Sequence, residues 1–433
     1  MPRKIGYRLG LVIIAVASAA VGIGAAMATP RTASPYAKLA VFARVLSHIE
    51  RSYVDKVDED GLVYGAIKGM VRTLDPHSSF LTPDEYRALN DDTVGRFGGV
   101  GLEVGVHGDV LTVIAPMAGS PAQKAGILPG DQIVAIEGRS ARSLGIEDAV
   151  RLMRGEAGTK VTATFRRAGR AAPFDVTMTR EVIKVESVKA ELLAPGYPWI
   201  RVLAFQDGTT ADLEDAVERL TAEGGGLEGL VLDLRGNPGG LLEEAVRTAD
   251  LFLDRGVIVT TRGRGGEVLQ TFEAKSRGTL DAVPVVALVD QSSASAAEIV
   301  AGALQDQGRA LLVGARTFGK GSVQNLIDLE DGSGLKLTVA LYFTPSGRSI
   351  QAEGVQPDVI VESRKAPPAE QPDAGLGLYY GGEADLPGHL APDKARAAAE
   401  EAPAIADFQL RVAFQVLKGL TTPAAKKLGG KKP

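Results

Sequence analysis

The chain contains no cysteine at all, which excludes thiol catalysis, disulfides and any cysteine metal site, and is compatible with an exported protein. Histidine is nearly as scarce. The four are His48, His77, His107 and His389, none of them in the stretch where strand and helix patterns alternate. No G-x-S-x-G elbow occurs either, so a Ser-His-Asp triad is not expected. A large excess of charge is also missing. The formal net charge is only −5, which gives no reason to expect nucleic acid as a partner. No internal repeat is visible.

What is present is length and a globular balance. With 433 residues, 45% hydrophobic and 23% charged, the chain is too long for one core and should hold roughly two to four folding units. Arg3, Lys4 and Arg8 precede an uncharged apolar run from Leu9 to Ala28, and Ala26-Met-Ala28 offers the small-x-small pattern of a signal cleavage site. The run is also long enough to cross a bilayer uncleaved. Residues 1–29 are therefore expected to be a signal peptide or an inner-membrane anchor, with the body exported to the periplasm or cell envelope.

Residues 30–96 carry apolar side chains at helical spacing, as in Leu39, Phe42, Val45, Leu46 and Ile49, with a break at Pro76. Short strand-like runs fill 97–181, with one helical patch near Ile146 to Met153. In 182–364 buried-strand runs at Leu230–Leu234, Val283–Val289 and Arg309–Val313 alternate with helical patterns at Leu241–Leu253 and Ser295–Gln307, which implies an α/β layer domain. After this, 365–433 reads as a linker rich in Ala, Pro and Glu, such as Lys365-Ala-Pro-Pro-Ala-Glu370. A late helix over Ile405 to Leu417 and a basic tail follow.

The stretch Gly314-Ala-Arg-Thr-Phe-Gly-Lys-Gly-Ser322 approaches a phosphate-binding loop, but Gly321 stands where Ser or Thr must hold Mg²⁺. Two strands, Val323–Leu329 and Leu335–Phe343, are expected after it where a phosphate loop needs a helix. Lys320 therefore needs another explanation. Ser295, among the small residues of Asp290-Gln-Ser-Ser-Ala-Ser-Ala-Ala-Glu-Ile299, sits at a strand-to-helix turn. That position exposes a hydroxyl to attack, and it equally suits a helix N-cap. Lys320 follows the next strand. Turns after adjacent parallel strands meet at one crevice. A lysine on a loop is ordinarily solvated, yet taken with Ser295 it suggests a serine–lysine dyad. Ser333-Gly-Leu-Lys336 matches S-x-x-K only by letter, since strand alternation separates its side chains.

From about Tyr36 to Glu362 the chain resembles the carboxy-terminal processing peptidases, or tail-specific proteases. The resemblance rests on Leu74-Asp-Pro-His-Ser-Ser-Phe-Leu81, a PDZ-like module from Gly98, Asp233-Leu-Arg-Gly-Asn-Pro-Gly-Gly240, Ser293-Ala-Ser-Ala-Ala-Glu298, Phe318-Gly-Lys-Gly321, and Tyr342 to Asp358. It implies Ser295 as nucleophile and Lys320 as base. Gln324 matches a glutamine that orients the lysine, and the amides of Gly240 and Ala296 match the oxyanion hole. Ala297 departs from the family's third serine, which is not the nucleophile position. Asp306 matches an acidic position without a settled role. Glycine in Asn237-Pro-Gly-Gly240 also suits an oxyanion hole physically, because backbone donors can approach a carbonyl closely. The alternative for Gln324 is an ordinary exposed strand residue.

The resemblance further implies an α+β multidomain fold: a helical N-terminal segment, a PDZ domain, and a catalytic α/β core of the crotonase or ClpP type. A PDZ domain binds a free C-terminus as an added strand. Gly98, Gly99, Val100, Gly101 and Leu102 are the expected substrate-binding residues, with Val100 to Val106 as the receiving strand; a plain glycine turn is the alternative. Arg154 stands where the PDZ domain and active site could touch, or is a solvated helix-end charge. The function implied is a serine endopeptidase acting on protein tails, against a catalytically silent PDZ scaffold. Partners are substrates with free C-termini, with an adaptor or activating lipoprotein and a homo-oligomer as further expectations. No metal, cofactor or nucleic acid is implied.

Overall fold

The computed structural model describes residues 35–107, 110–275, 280, 283–362 and 407–422. The expected export segment, the linker from Lys365, the start of the late helix at Ile405 and the basic tail lie outside them. The chain divides into two units, one ending at Leu74 and the other beginning at Asp75.

In the first unit, helices Leu39–Ser52 and Glu59–Val71 follow a short 3₁₀ turn. Glu59 and Asp60 open the second helix and Lys68 lies in its last turn, each charge complementing the helix dipole. Leu39–Ser52 carries the expected apolar spacing, and none of its residues is buried.

The second unit begins with a difference from expectation. Ser79–Leu81, inside the stretch read as helical, is a strand paired antiparallel with Gly334–Lys336. Three residues have no period of their own to reveal this; a partner far along the chain supplies it. Helix Pro83–Val94 follows, opened by a capping box between Thr82 and Glu85 and closed by Gly95 in the left-handed region.

The β-rich module is a sheet of Leu102–His107, Val110–Pro116, Gln132–Ile136, Lys160–Arg166 and Phe174–Thr179, with Arg139–Ser140 paired beside the third. Strict alternation along Lys160–Arg166 buries Val161, Ala163 and Phe165 completely. Helix Ile146–Met153 contributes Ala149 and Met153 to the same core. Arg96–Gly99 pairs with Glu181–Lys184 where the module begins and ends. Gly98 and Gly99, the first two of the expected substrate-binding residues, are therefore strand residues. Their small size admits the neighbouring backbone: a Cβ on Gly98 would stand 2.1 Å from the Gly155 carbonyl.

The sheet of the α/β domain runs in the order Val188–Ala194, Tyr197–Val202, Leu230–Asp233, Val285–Val289, Ala310–Gly314, Val359–Ile360. Its first pair is antiparallel and the rest are parallel. Both faces are covered, which is why Val285–Val289 is an unbroken apolar run. Val285, Ala287 and Val289 face a core shared with helices Thr209–Gly224, Leu242–Asp250 and Ala296–Asp306, whereas Val286 and Leu288 face Leu410, Ala413, Phe414 and Leu417 of helix Phe408–Thr421. A second sheet joins Ser79–Leu81, Gly334–Phe343, Val257–Arg262 and Val268–Glu273, with the expected hairpin strand Ser322–Asp328 on Gly334–Phe343. Together these elements form the expected α+β multidomain architecture.

Candidate active site

Strands Val285–Val289 and Ala310–Gly314 are parallel neighbours, so the turns after them open at the same edge of the sheet. After the first, the Asp290 carboxylate accepts from the amides of Ser292 and Ser293, and from Gly236 of the neighbouring loop, all at 3.0 Å. Ser293 donates its hydroxyl to the Leu234 carbonyl at 2.8 Å. The turn delivers Ser295 to the N-cap of helix Ala296–Asp306 with φ 54° and ψ −114°. A serine at positive φ is held there by its surroundings, the kind of strain that gathers at functional turns. Ser295 is 7% exposed, and the alanines on either side are also buried.

The glycine loop reaches this serine directly. Gly239 has φ 106°, and a Cβ on it would stand 2.8 Å from Ser295 Cβ and 3.0 Å from the Ala296 nitrogen. Only glycine lets the backbone approach so closely. The loop is fixed from behind: Asn237 donates its side-chain amide to the Val202 carbonyl and accepts from Gly239 N, while Ala294 N donates to the Asn237 carbonyl. Gly239 and Ala296 thus approach Ser295 from two converging backbone segments, and the next residue, Gly240, packs against the Phe205 carbonyl, where a Cβ would stand 2.1 Å away.

Glu298 joins the serine turn to the lysine loop. Fully buried, it accepts four hydrogen bonds: Thr317 Oγ1 at 2.5 Å and Gly319 N at 2.7 Å on one oxygen, Ser295 N and Lys320 N, both at 2.8 Å, on the other. The backbones carrying Ser295 and Lys320 are therefore held by a single carboxylate oxygen. The glycines around the lysine also have their explanation, because a Cβ on Gly321 would stand 2.4 Å from the Gln351 nitrogen. They admit a neighbouring chain segment, with no phosphate required.

Lys320 is half-buried, and burial pushes its pKa below the ordinary lysine value; the Lys336 ammonium adds to this and Glu298 opposes it. His77 belongs to this environment despite its place far along the sequence. Its pKa is held down by burial and then by the Lys320 charge, against Asp75. Tyr342, another residue that sequence reasoning gave no separate role, donates its backbone N–H to the Gly321 carbonyl at 2.7 Å. Its phenol interacts with the Ser295 hydroxyl, which works against the burial and the Glu243 charge that together push its pKa up to about 12. Glu298 had a sequence signal in its position three residues after Ser295, the capping-box spacing. Tyr342 had none.

Gln324, on strand Ser322–Asp328, is held through its amide nitrogen. Its amide nitrogen donates to Ser322 Oγ at 2.8 Å and to Thr338 Oγ1 at 3.4 Å. Asp306 braces a turn, accepting from Ser346 N and Oγ at 3.0 and 2.7 Å and from Arg348 at 3.2 Å.

In the β-rich module, Val100, Gly101 and Leu102 line a cleft of about 190 Å³ with Phe97, Val104, Val150, Met153 and Arg154. The strand bordering it starts at Leu102, two residues later than expected. Arg154 is not a solvated helix-end charge. Its guanidinium lies 4.2 Å from the Phe97 ring centroid and pairs with Asp92 at 3.0 Å, leaving the side chain 27% exposed.

Comparison with known proteins agrees with this layout. Residues 196–361 match the model of peptidase family S41, 112–167 a PDZ domain, and 20–84 the N-terminal domain of the activating protease CtpB. A carboxy-terminal-processing protease of Bartonella bacilliformis is 40% identical over 90% of each chain. The carboxy-terminal processing protease CtpA of Bacillus subtilis is 37% identical, over 74% of this chain and 68% of its own. Among solved structures, the photosystem II D1 C-terminal processing protease is similar at 34% identity and TM-score 0.45, over 74% of this chain and 92% of that one. With a peptidase region around Ser295, a PDZ domain before it and 40% identity along nearly the whole length, the chain belongs to peptidase family S41, the carboxy-terminal processing serine proteases.

Proposed function

We propose that Ser295 and Lys320 are the catalytic dyad, and that the PDZ domain presents a substrate's free C-terminal tail to it. The observation that carries this reading is the Glu298 carboxylate, which anchors the amides of both residues through one oxygen while Lys320 is half-buried beside a second cation. A free lysine, with pKa about 10.4, is almost wholly protonated near neutrality and cannot serve as a base. Burial and a neighbouring positive charge both favour the neutral amine that can. Neutral Lys320 takes the Ser295 proton as the hydroxyl oxygen attacks the scissile carbonyl. The Gly240 and Ala296 amides receive the developing oxyanion. Lysine returns the proton to the leaving amine, and water, activated by the same lysine, releases the acyl-enzyme.

Tail docking is assigned to the cleft beside Leu102–His107, where an added strand would pair and the apolar lining would take the last side chain. The reading extends to location. The apolar run Leu9 to Ala28 would carry the body out of the cytoplasm, and a reporter active only outside the cytoplasm, fused after residue 40, must light up if it does.

The dyad is tested by turnover of a peptide with a free C-terminus. Ser295→Ala should abolish turnover, and Lys320→Arg should lower it by about 10²–10⁴, because guanidinium keeps the charge but stays protonated. Substantial activity in Lys320→Arg alongside a dead Ser295→Ala would remove Lys320 from the role of base.

A further inference from the structure

The Asp-Pro-His-Ser turn that opens the second unit has no part in the mechanism above, yet its polar groups converge on the hairpin that carries Gln324. Asp75 Oδ1 accepts from the amides of His77 and Ser78, both at 2.8 Å, and Ser78 Oγ donates to Asp75 Oδ2 at 2.7 Å. The turn then reaches strand Gly334–Phe343. Thr338 N donates to Ser78 Oγ at 3.0 Å, and Thr338 Oγ1 donates to Asp75 Oδ1 at 3.2 Å. Thr338 is the cross-strand partner of Gln324, immediately beside a register shift between Val323 and Gln324. Bulges of this kind re-aim a side chain beside an active site.

The chain of bonds has a direction. An ionised carboxylate only accepts, so the single Thr338 hydroxyl proton is committed to Asp75. Burial alone would raise the Asp75 carboxyl, but bonds from Ser78, the His77 and Ser78 amides and Thr338 outweigh it and keep the group ionised. The Thr338 oxygen is left to accept, and it does so from Gln324 Nε2; Ser322 Oγ accepts the other amide proton. Both N–H groups of the Gln324 amide are thereby spent. Its carbonyl oxygen is the one group left to offer, and an acceptor is what a lysine amine requires.

We propose that Asp75, acting through Thr338, is a positioning residue that fixes which way the Gln324 amide faces, so that its carbonyl and not its amino group is presented to Lys320. The proposal rests on the reading of Lys320 as base. Without Asp75 the Thr338 hydroxyl is free to turn and donate to Gln324, and the amide can flip. A flipped amide would point N–H donors at a lysine that is itself a donor. The amine would lose the partner that aims its lone pair at Ser295.

The test is a double-mutant cycle on peptide turnover. Thr338→Val is close in shape, suits a strand and leaves the charge unchanged. It should lower kcat about tenfold while KM changes less than twofold, and Thr338→Ser should restore the rate. On a Gln324→Ala background, Thr338→Val should cost nothing further, because residues acting through one another are not additive. The acid limb of the kcat profile should move to lower pH in both Thr338→Val and Gln324→Ala, since each takes from Lys320 the Gln324 carbonyl acceptor that favours the ammonium. Full additivity, an unmoved pH limb, or wild-type kcat in Thr338→Val would each overturn the proposal. Should Thr338→Val unfold at the assay temperature, Asp75→Asn against Gln324→Ala is judged by the same additivity. Failure of the dyad itself would show separately, as turnover persisting in Lys320→Arg. An additive cycle with Lys320→Arg inactive would sink the relay and leave the dyad standing.

Discussion

The Ser295 turn and the cleft of the PDZ domain lie in one chain but satisfy their polar groups in opposite ways. Around Ser295 donors converge on internal acceptors: Glu298 takes four, Asp290 three backbone amides, and Asn237 both gives and receives. The PDZ cleft is lined mainly by apolar side chains, and Arg154, its one charged lining residue, is tied outward to Asp92. The difference suits the tasks proposed for the two regions. Chemistry needs donors and acceptors fixed before the substrate arrives, whereas adding a strand needs an edge left open.

The sharpest way to break this contrast is to remove the central acceptor. Glu298→Ala strands four donors inside the protein, each costing about 1–3 kcal/mol when buried and unsatisfied. Denaturant unfolding should show a loss of several kcal/mol, and turnover should fall to background. Val104→Ala, on the partly buried wall of the cleft, should cost less than about 1.5 kcal/mol. Comparable losses at the two positions would mean that the catalytic turn is no more preorganised than the cleft.

Next in size is the reading of the substrate's carboxylate. Matched peptides ending in an acid or an amide present the same scissile bond to Ser295. If the cleft holds a charged terminus by backbone amides, the amide should raise KM about tenfold with little change in kcat, the value of one charge-assisted bond. Identical saturation curves would confine tail recognition to side chains.

How much of this was legible beforehand divides along the same line. Ser295 and Lys320 could be singled out because few residue types can do the chemistry and each follows a buried strand. The strands themselves, Leu230–Asp233, Val285–Val289 and Ala310–Gly314, announce themselves as unbroken apolar runs. Ser79–Leu81 did not, because its partner lies on Gly334–Lys336, far along the chain. The strand pairing of Gly98 and Gly99 was hidden for a related reason. Two glycines read as a loop until the backbone they admit, at Gly155, is known. The hubs at Glu298 and Asp75 depend on which distant amides come to meet them, and local pattern does not carry that. Helix Phe408–Thr421 was legible as a helix, but not what it covers.

A subtler distinction concerns charge. Lys336 lies across the hairpin from Leu326, and after burial it is the next cause holding the Lys320 pKa down. Lys336→Met removes that repulsion, so protonated Lys320 should persist to higher pH. The acid limb of the turnover profile should then move upward, with a severalfold loss of rate near neutrality. The cleft has no such dependence, so KM for the acid peptide should stay as it was. A limb that does not move would leave burial as the whole cause.

The smallest expected effect comes from the edge of the preorganised region. Arg235, in the loop that leads to Gly240, is clamped between buried Asp233, at 2.6 Å, and Asp407, at 2.8 Å, just before helix Phe408–Thr421. Gln409 accepts from the same guanidinium at 3.0 Å. Burial would raise the Asp407 carboxyl, but the Arg235 bonds and the Leu410 amide outweigh it and lower its pKa. A carboxylate whose folded pKa is depressed adds stability that is fully present above its unfolded value near 4. That stability is lost as pH falls through the folded value. Asp407 is 41% exposed, so solvent screens the pair, and Asp407→Asn should cost no more than about 1 kcal/mol at neutral pH. The wild-type advantage over Asp407→Asn should fade as pH drops below about 4, and unfolding midpoints taken across that range measure it. An advantage that persisted undiminished in acid would show that it does not come from the ionised Asp407 carboxylate.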